Sequence, residues 1–106
     1  MPVAFDLSWT KDAFADEQIT VAAASVGLTA ATFAPATGDV KPAEYALLTS
    51  ETADIRYRFT GSAADATGHL LTAGGVLEIR GQNNIKNFRM IRNVGVSAVV
   101  TVSYAR

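Results

Sequence analysis

Period-two alternation, recurring in short runs, constrains this chain more than any other feature. In "DIRYRFT" (54–60) Ile55, Tyr57 and Phe59 point one way and Arg56, Arg58 and Thr60 the other, as a half-buried strand requires. "VSAVVTVSYAR" (96–106) places Ala98, Val100, Val102 and Tyr104 on one face, with small polar residues mostly on the other. Between and before these lie further strand candidates. "QITVAAASVGLTAATFA" holds two β-branched runs, 18–23 and 28–33, around a turn at Ser25 to Gly27. "AEYALLTS" (43–50) has Tyr45 and Leu47 on one face; "HLLTAGG" leads into "VLEIRG", and "NNIKNFRMIRNVG" carries a strand at about 87–92. "PATGDVKP" and "GSAADATG" (61–68) are loops by their Pro, Gly and Asp content. Seven or eight short strands at spacings of roughly 8–12 residues predict an all-β fold, an antiparallel β-sandwich or jelly roll. No long helical pattern suggests a parallel α/β sheet, and no internal repeat suggests a solenoid or propeller.

The first 17 residues read differently. Ser8 or Thr10 can cap a helical turn through "KDAFADEQ", although Asp12 and Asp16 weaken it. The expectation is an N-terminal arm or short helical turn over 1–17 and a single β-domain over 18–106. Phe5, Trp9 and Phe14 are three of the nine aromatic residues, so such an arm needs a surface on which to bury them. With 106 residues there is room for one core. Scaling of surface with mass lets about 65% of the unfolded surface be buried, enough without staples.

Charged residues make up only 18% of the chain, below the ordinary share of about 25%. One consequence is a bland β-protein surface; the other is surface hidden against subunits, since interface centres are depleted in charge. The net charge of −1 conceals a split. Residues 1–50 hold Asp6, Asp12, Asp16, Glu17, Asp39 and Glu44 against Lys11 and Lys41, a net of −4; residues 51–106 hold seven basic and four acidic residues, a net of +3. If the fold keeps these halves on different faces, copies can dock with opposite charges facing, whereas a sheet that interleaves the halves cancels the effect. The start of the chain has acids early and no apolar stretch of the signal-peptide kind, and no run reaches the roughly 18 apolar residues of a membrane span. A soluble protein made without a signal, with no membrane partner, is expected.

Chemistry-bearing patterns are sparse. Cysteine is absent, which removes disulfides, thiolate metal sites and cysteine nucleophiles. His69 is the only histidine and has no HxH or HExxH spacing, so neither a metal centre nor a triad is expected; the ordinary reading is a residue at the start of a strand. No G-x-S-x-G elbow accompanies it. Glu51 and Asp54 are spaced as in a solvated turn rather than as an acid/base pair. "AGGVLEIRG" lacks the phosphate-loop pattern and leads into a strand. Arg56, Tyr57, Arg58 and Phe59, with Lys86, Phe88, Arg89 and Arg92, interleave basic and aromatic residues as single-strand binders do. Alternation separates the rings from the arginines, so no specific nucleic-acid partner is expected. Neither are a catalytic residue, a cofactor or a metal.

The stretch from about Ala53 to Ile91, "ADIRYRF-TG", "TGHLL", "AGGVLEI" and "NIKNFRMI", resembles small virion structural proteins of tailed bacteriophages. The resemblance implies an antiparallel β-fold and a non-enzymatic role as a head decoration or cement protein. It implies a homo-oligomer, a trimer, bound to the major capsid protein on the phage head after synthesis in the host cytoplasm. A tail or connector accessory is the alternative. "IRYRFTGSAADAT" also resembles the "ITYTTDGSDPT" hairpin of carbohydrate-associated β-sandwich modules, with Thr60 in place of its Asp and without its Pro. The candidate contact residues are Phe5, Trp9 and Phe14 in the arm and Arg56, Arg58, Arg89 and Arg92 on the basic face.

Overall fold

A computed structural model describes residues 12–35, 41–61, 64–65, 67–93 and 95–106. Among them run eight strands and two short helices: β1 (Ala13–Val21), β2 (Val26–Gly27), α1 (Ala30–Phe33), β3 (Tyr45–Ser50), β4 (Ile55–Arg58), β5 (His69–Leu71), β6 (Val76–Arg80), α2 (Gln82–Asn87), β7 (Arg89–Arg92) and β8 (Ala98–Ala105). The alternating run that closes the sequence becomes a strand buried along one whole face. In β8, Ala98, Val100, Val102 and Tyr104 are fully buried, and the strand sits inside its sheet between β1 and β3.

The strands form two antiparallel four-stranded sheets, the first in the order β1-β8-β3-β6 and the second β2-β7-β4-β5. Their pairing is nested. β1 pairs β8, β2 pairs β7, β3 pairs β6 and β4 pairs β5, all antiparallel. The chain is thus one long hairpin whose successive rungs fall alternately in the first and second sheet, with β3·β8 and β4·β7 joining the rungs. At its open end Asp12 and Arg106 exchange two backbone hydrogen bonds of 3.2 Å. Ile19, Val21, Leu48 and Ile79 of the first sheet meet Ile55 and Met90 of the second in one core, closed by Phe33, Ile85 and Phe88. Each such large apolar side chain contributes roughly 1.5–3 kcal/mol on burial.

Three expectations need correction. Residues 13–17, expected in an arm or helical turn, are the first half of β1, so the boundary at 17/18 falls inside a strand. Asp12 and Asp16 make a poor helix, whereas β8 offers a ladder to Ala13 and to Ala15 through Val21, with a bulge at Phe14. The run 28–33, expected as a strand, ends in the single turn α1, where Thr29 O accepts N–H bonds from Thr32 and Phe33. That turn drives Phe33 inward to within 6.0 Å of the Tyr104 ring. The strand expected at 87–92 starts at Arg89, because α2 occupies 82–87 after Gly81, whose φ of 101° only glycine adopts readily. Tyr45 and Leu47 do share a face of β3, but it is the half-exposed one; Ala46, Leu48 and Ser50 turn inward. Phe5 and Trp9 lie outside the described residues. No helix among the described residues is long and apolar enough to cross a membrane.

Candidate docking face

Directly opposite residues of antiparallel strands share a face. In the second sheet Arg58 stands opposite Arg89, Arg56 lies between Ile91 and Leu70, and Gly27 faces Arg89 from the other side. Arg56, Arg58 and Arg89 therefore occupy one outer face. Arg92 does not join them: it stands opposite Ile55, on the parity of the inner face. Phe14 is separated from them too. It lies in β1, packed against the core, with the Arg106 guanidinium carbon 4.2 Å from its ring centre.

The three arginines are held differently. Arg56 donates through Nε to Asn93 Oδ1 at 3.0 Å and through Nη1 to Gly68 O at 3.1 Å. Arg58 forms an ion pair with Asp65 at 2.7 Å and also donates to the Thr67 hydroxyl. Asp65 is capped further by the Thr67 hydroxyl at 2.6 Å and the Thr67 N–H at 2.9 Å. The Thr67 hydroxyl first, then Arg58, hold the Asp65 carboxyl well below the usual carboxylate range. Arg89 has no side-chain hydrogen bond or ion pair among the described residues, and lies along Gly27, whose absent Cβ would sit 3.5 Å from Arg89 Cδ. The Nε atoms of Arg58 and Arg89 are both enclosed without a partner. Like charges directly opposite disfavour the pairing. Asp65 offsets Arg58, which leaves Arg89 uncommitted.

His69 opens β5 opposite Tyr57, their ring centres 5.3 Å apart, on the inner-face parity and exposed. It belongs with Tyr57, Phe59 and Phe88 rather than with the arginines, as the ring contacts of 5.5–5.6 Å among those three indicate. No group of three or more metal-ligating side chains converges among the described residues. A cleft of about 570 Å³ near α2 is lined by Glu44, Tyr45, Arg80 and residues 81–84, a set with one carboxylate and no histidine.

The first sheet presents a different outer face. Gln18, Thr101 and Thr49 share one row, and Asp16, Ser103, Leu47 and Glu78 the next. Gln18 Nε2 donates to Thr101 Oγ1 at 3.4 Å, and the Thr101 hydroxyl donates to Glu51. Glu78 is paired with Arg80 at 2.5 Å. The centre is small and neutral, and the acids lie toward its margins. Thus three of the four named arginines come together, and Phe14 and Arg92 stand apart. Asp65, Thr67 and Asn93, absent from the sequence-derived set, complete the site. Their signal was a turn-forming Asp-x-Thr following a basic strand, and an Asn directly after Arg92. Comparison of the chain with family models, curated proteins and solved structures gives no match.

Proposed function

We propose that this chain is a non-enzymatic structural protein of a tailed-phage virion. In this reading it is a capsid decoration or cement protein that assembles as a homo-oligomer, a trimer, on the major capsid protein of the head and stabilises the shell. Its body is read as a β-sandwich of jelly-roll type. The nested hairpin with rungs alternating between sheets supports that reading, and eight-stranded double-sheet jelly rolls serve in viral capsids and lectins. Architecture alone does not determine function. The observation that carries the proposal is the outer face of the second sheet, where Arg56, Arg58 and Arg89, the last uncommitted among the described residues, lie beside Gly27 and Gly68 with the Asp65 carboxylate against Arg58. Such a face suits docking against a neighbouring subunit, and a protein that binds only the assembled shell stabilises it by mass action.

Quantitative mass spectrometry of purified virions tests this: hundreds of copies per particle, with earlier thermal rupture of particles lacking the protein, are the expected outcomes. A few copies per particle would transfer the chain to a tail or connector. Absence from the virion would overturn the reading. A carbohydrate- or receptor-binding module is the second reading, favoured by a cleft of about 370 Å³ where half-exposed Phe59 meets Glu78, Arg80 and Asn84. Glycan binding abolished by Phe59→Ala, without affinity for capsids, would select it.

A further inference from the structure

We propose that copies of this chain associate head to tail, the arginine face of the second sheet in one copy docking on the outer face of the first sheet in the next. The inference rests on the self-assembly part of the reading above and supplies its contact. The two halves of the sequence differ in charge, but the first sheet interleaves them, and the difference between the faces comes from individual side chains. β4, β5 and β7 of the second sheet come from residues 51–106 and β2 from 1–50, whereas the first sheet takes β1 and β3 from 1–50 and β8 and β6 from 51–106, so of its outer acids only Asp16 comes from the acidic half. Arg56, Arg58 and Arg89 stand against Asp65 on one outer face; Asp16, Glu51 and Glu78 stand against Arg80 on the other.

Two copies meeting with the same face would set arginine against arginine or acid against acid. The head-to-tail contact matches opposite signs, and because the two outer faces look away from each other across the core, repetition of it stacks copies in a row. Apolar surface agrees with charge. Leu70, 45% exposed, lies on the arginine face, and Val76, 42% exposed, on the other. Among the described residues Arg89 has no side-chain bond to break when its outer guanidinium nitrogens turn toward a partner carboxylate. The four strands of the second sheet, about 4.8 Å apart and two to four residues long, make a patch of roughly 20 by 14 Å. That is well below the ~800 Å² per partner of a stable complex. The contact is therefore weak in dilute solution, sensitive to salt, and effective where copies are crowded on a shell.

Sedimentation equilibrium of the purified full chain is the test. The wild type is expected to self-associate at low salt and to lose that association near 1 M salt, where the screening length is about 3 Å. Arg89→Glu and Asp16→Arg, each with wild-type circular dichroism, are expected to weaken association by roughly tenfold or more, since each sets like charges together. An equimolar mixture of the two variants is expected to associate again, because each reversed face then finds its opposite. If Arg89→Glu does not fold, Arg56→Glu takes its place. A wild type that stays monomeric at low salt and millimolar concentration would overturn the proposal. So would single variants that associate like wild type, or folded variants whose mixture stays monomeric. Virion association is measured separately, so decoration of the shell and this contact can fail independently.

Discussion

Tyr104 and Glu17 show how one residue pair ties the fold together. Tyr104 is fully buried in β8, and its hydroxyl donates to Glu17 Oε2 at 2.5 Å, while the same carboxylate oxygen accepts the Thr29 N–H at 3.2 Å. The strand pair β1·β8 is thereby fastened to the start of α1. Burial first, then the bond to Glu17 and its negative charge, push the Tyr104 hydroxyl's ionisation well above its ordinary value of about 10. The folded pKa is raised, so the stability contributed by the neutral phenol is fully present below about pH 10 and declines as pH rises beyond it toward the folded value. Tyr104→Phe is expected to cost about 1.5–3 kcal/mol at neutral pH, as for a hydrogen bond to a charged group. It is also expected to flatten the loss of stability above about pH 10, and urea denaturation on both sides of that pH measures both effects. Gly68 makes a steric prediction beside the arginine face. A Cβ there would lie 2.8 Å from Tyr57 O, a backbone atom that cannot swing away. Gly68→Ala is expected to cost about 1–3 kcal/mol in the same assay by forcing β5 off β4.

At the scale of elements, the corners where the chain passes between sheets matter as much as the strands. Ser50 ends β3 in the first sheet, and β4 begins the next crossing in the second. It is a fully buried polar residue of the core. Its hydroxyl donates to Ala53 O at 2.5 Å, its carbonyl accepts the Gly74 N–H at 2.6 Å and its N–H donates to Gly75 O at 3.1 Å. Ser50→Ala leaves the Ala53 carbonyl without that donor and is expected to cost about 1–3 kcal/mol, with earlier hydrogen exchange at Ser50 and Gly74 as the local sign. The central strands were legible because each carries its own alternation: β8, β4 and the 43–50 run needed no tertiary information. β1 was not legible over 13–17, since "AFADE" has no strong period and becomes a strand through β8. Neither was α2, in which Ile85 is the single buried residue of six, too few for a helical period to show. The site followed the same rule. Alternation places Arg56 and Arg58 together and sets Arg89 and Arg92, three apart in β7, on opposite faces, but only the register of β7 against β4 decides that Arg89 is the one that joins them, and register between distant strands is not written in either strand alone.

At the scale of the molecule, the nested pairing sets how the chain closes. β4·β5 is the innermost rung and β1·β8 the outermost, its partners as much as 92 residues apart at Ala13 and Ala105. Pairings of such separation delay folding because loop closure precedes their reward, so the native chain is expected to nucleate at its inner rungs. Nesting has a symmetry that makes this testable. Joining residue 106 to residue 1 and opening the chain in the connection between β4 and β5 gives the strand order β5 to β8 followed by β1 to β4. β1·β8 then becomes the innermost rung and β4·β5 the outermost, while β4·β7 lengthens from 33 residues at Tyr57 and Met90 to about 73 and β3·β8 stays near 54, its value at Leu48 and Val102. The mean contact separation is nearly unchanged, and the folding rate is expected to stay within roughly tenfold of the original. The nucleus, however, is expected to move. Stopped-flow kinetics of Ile55→Val and Val100→Ala in both chains would show it: the φ-value at Ile55 in β4 falls on permutation and that at Val100 in β8 rises. Unchanged φ-values at both positions would mean that the nucleus is fixed by side-chain packing in the core these two residues share, and not by the closure of the inner rungs.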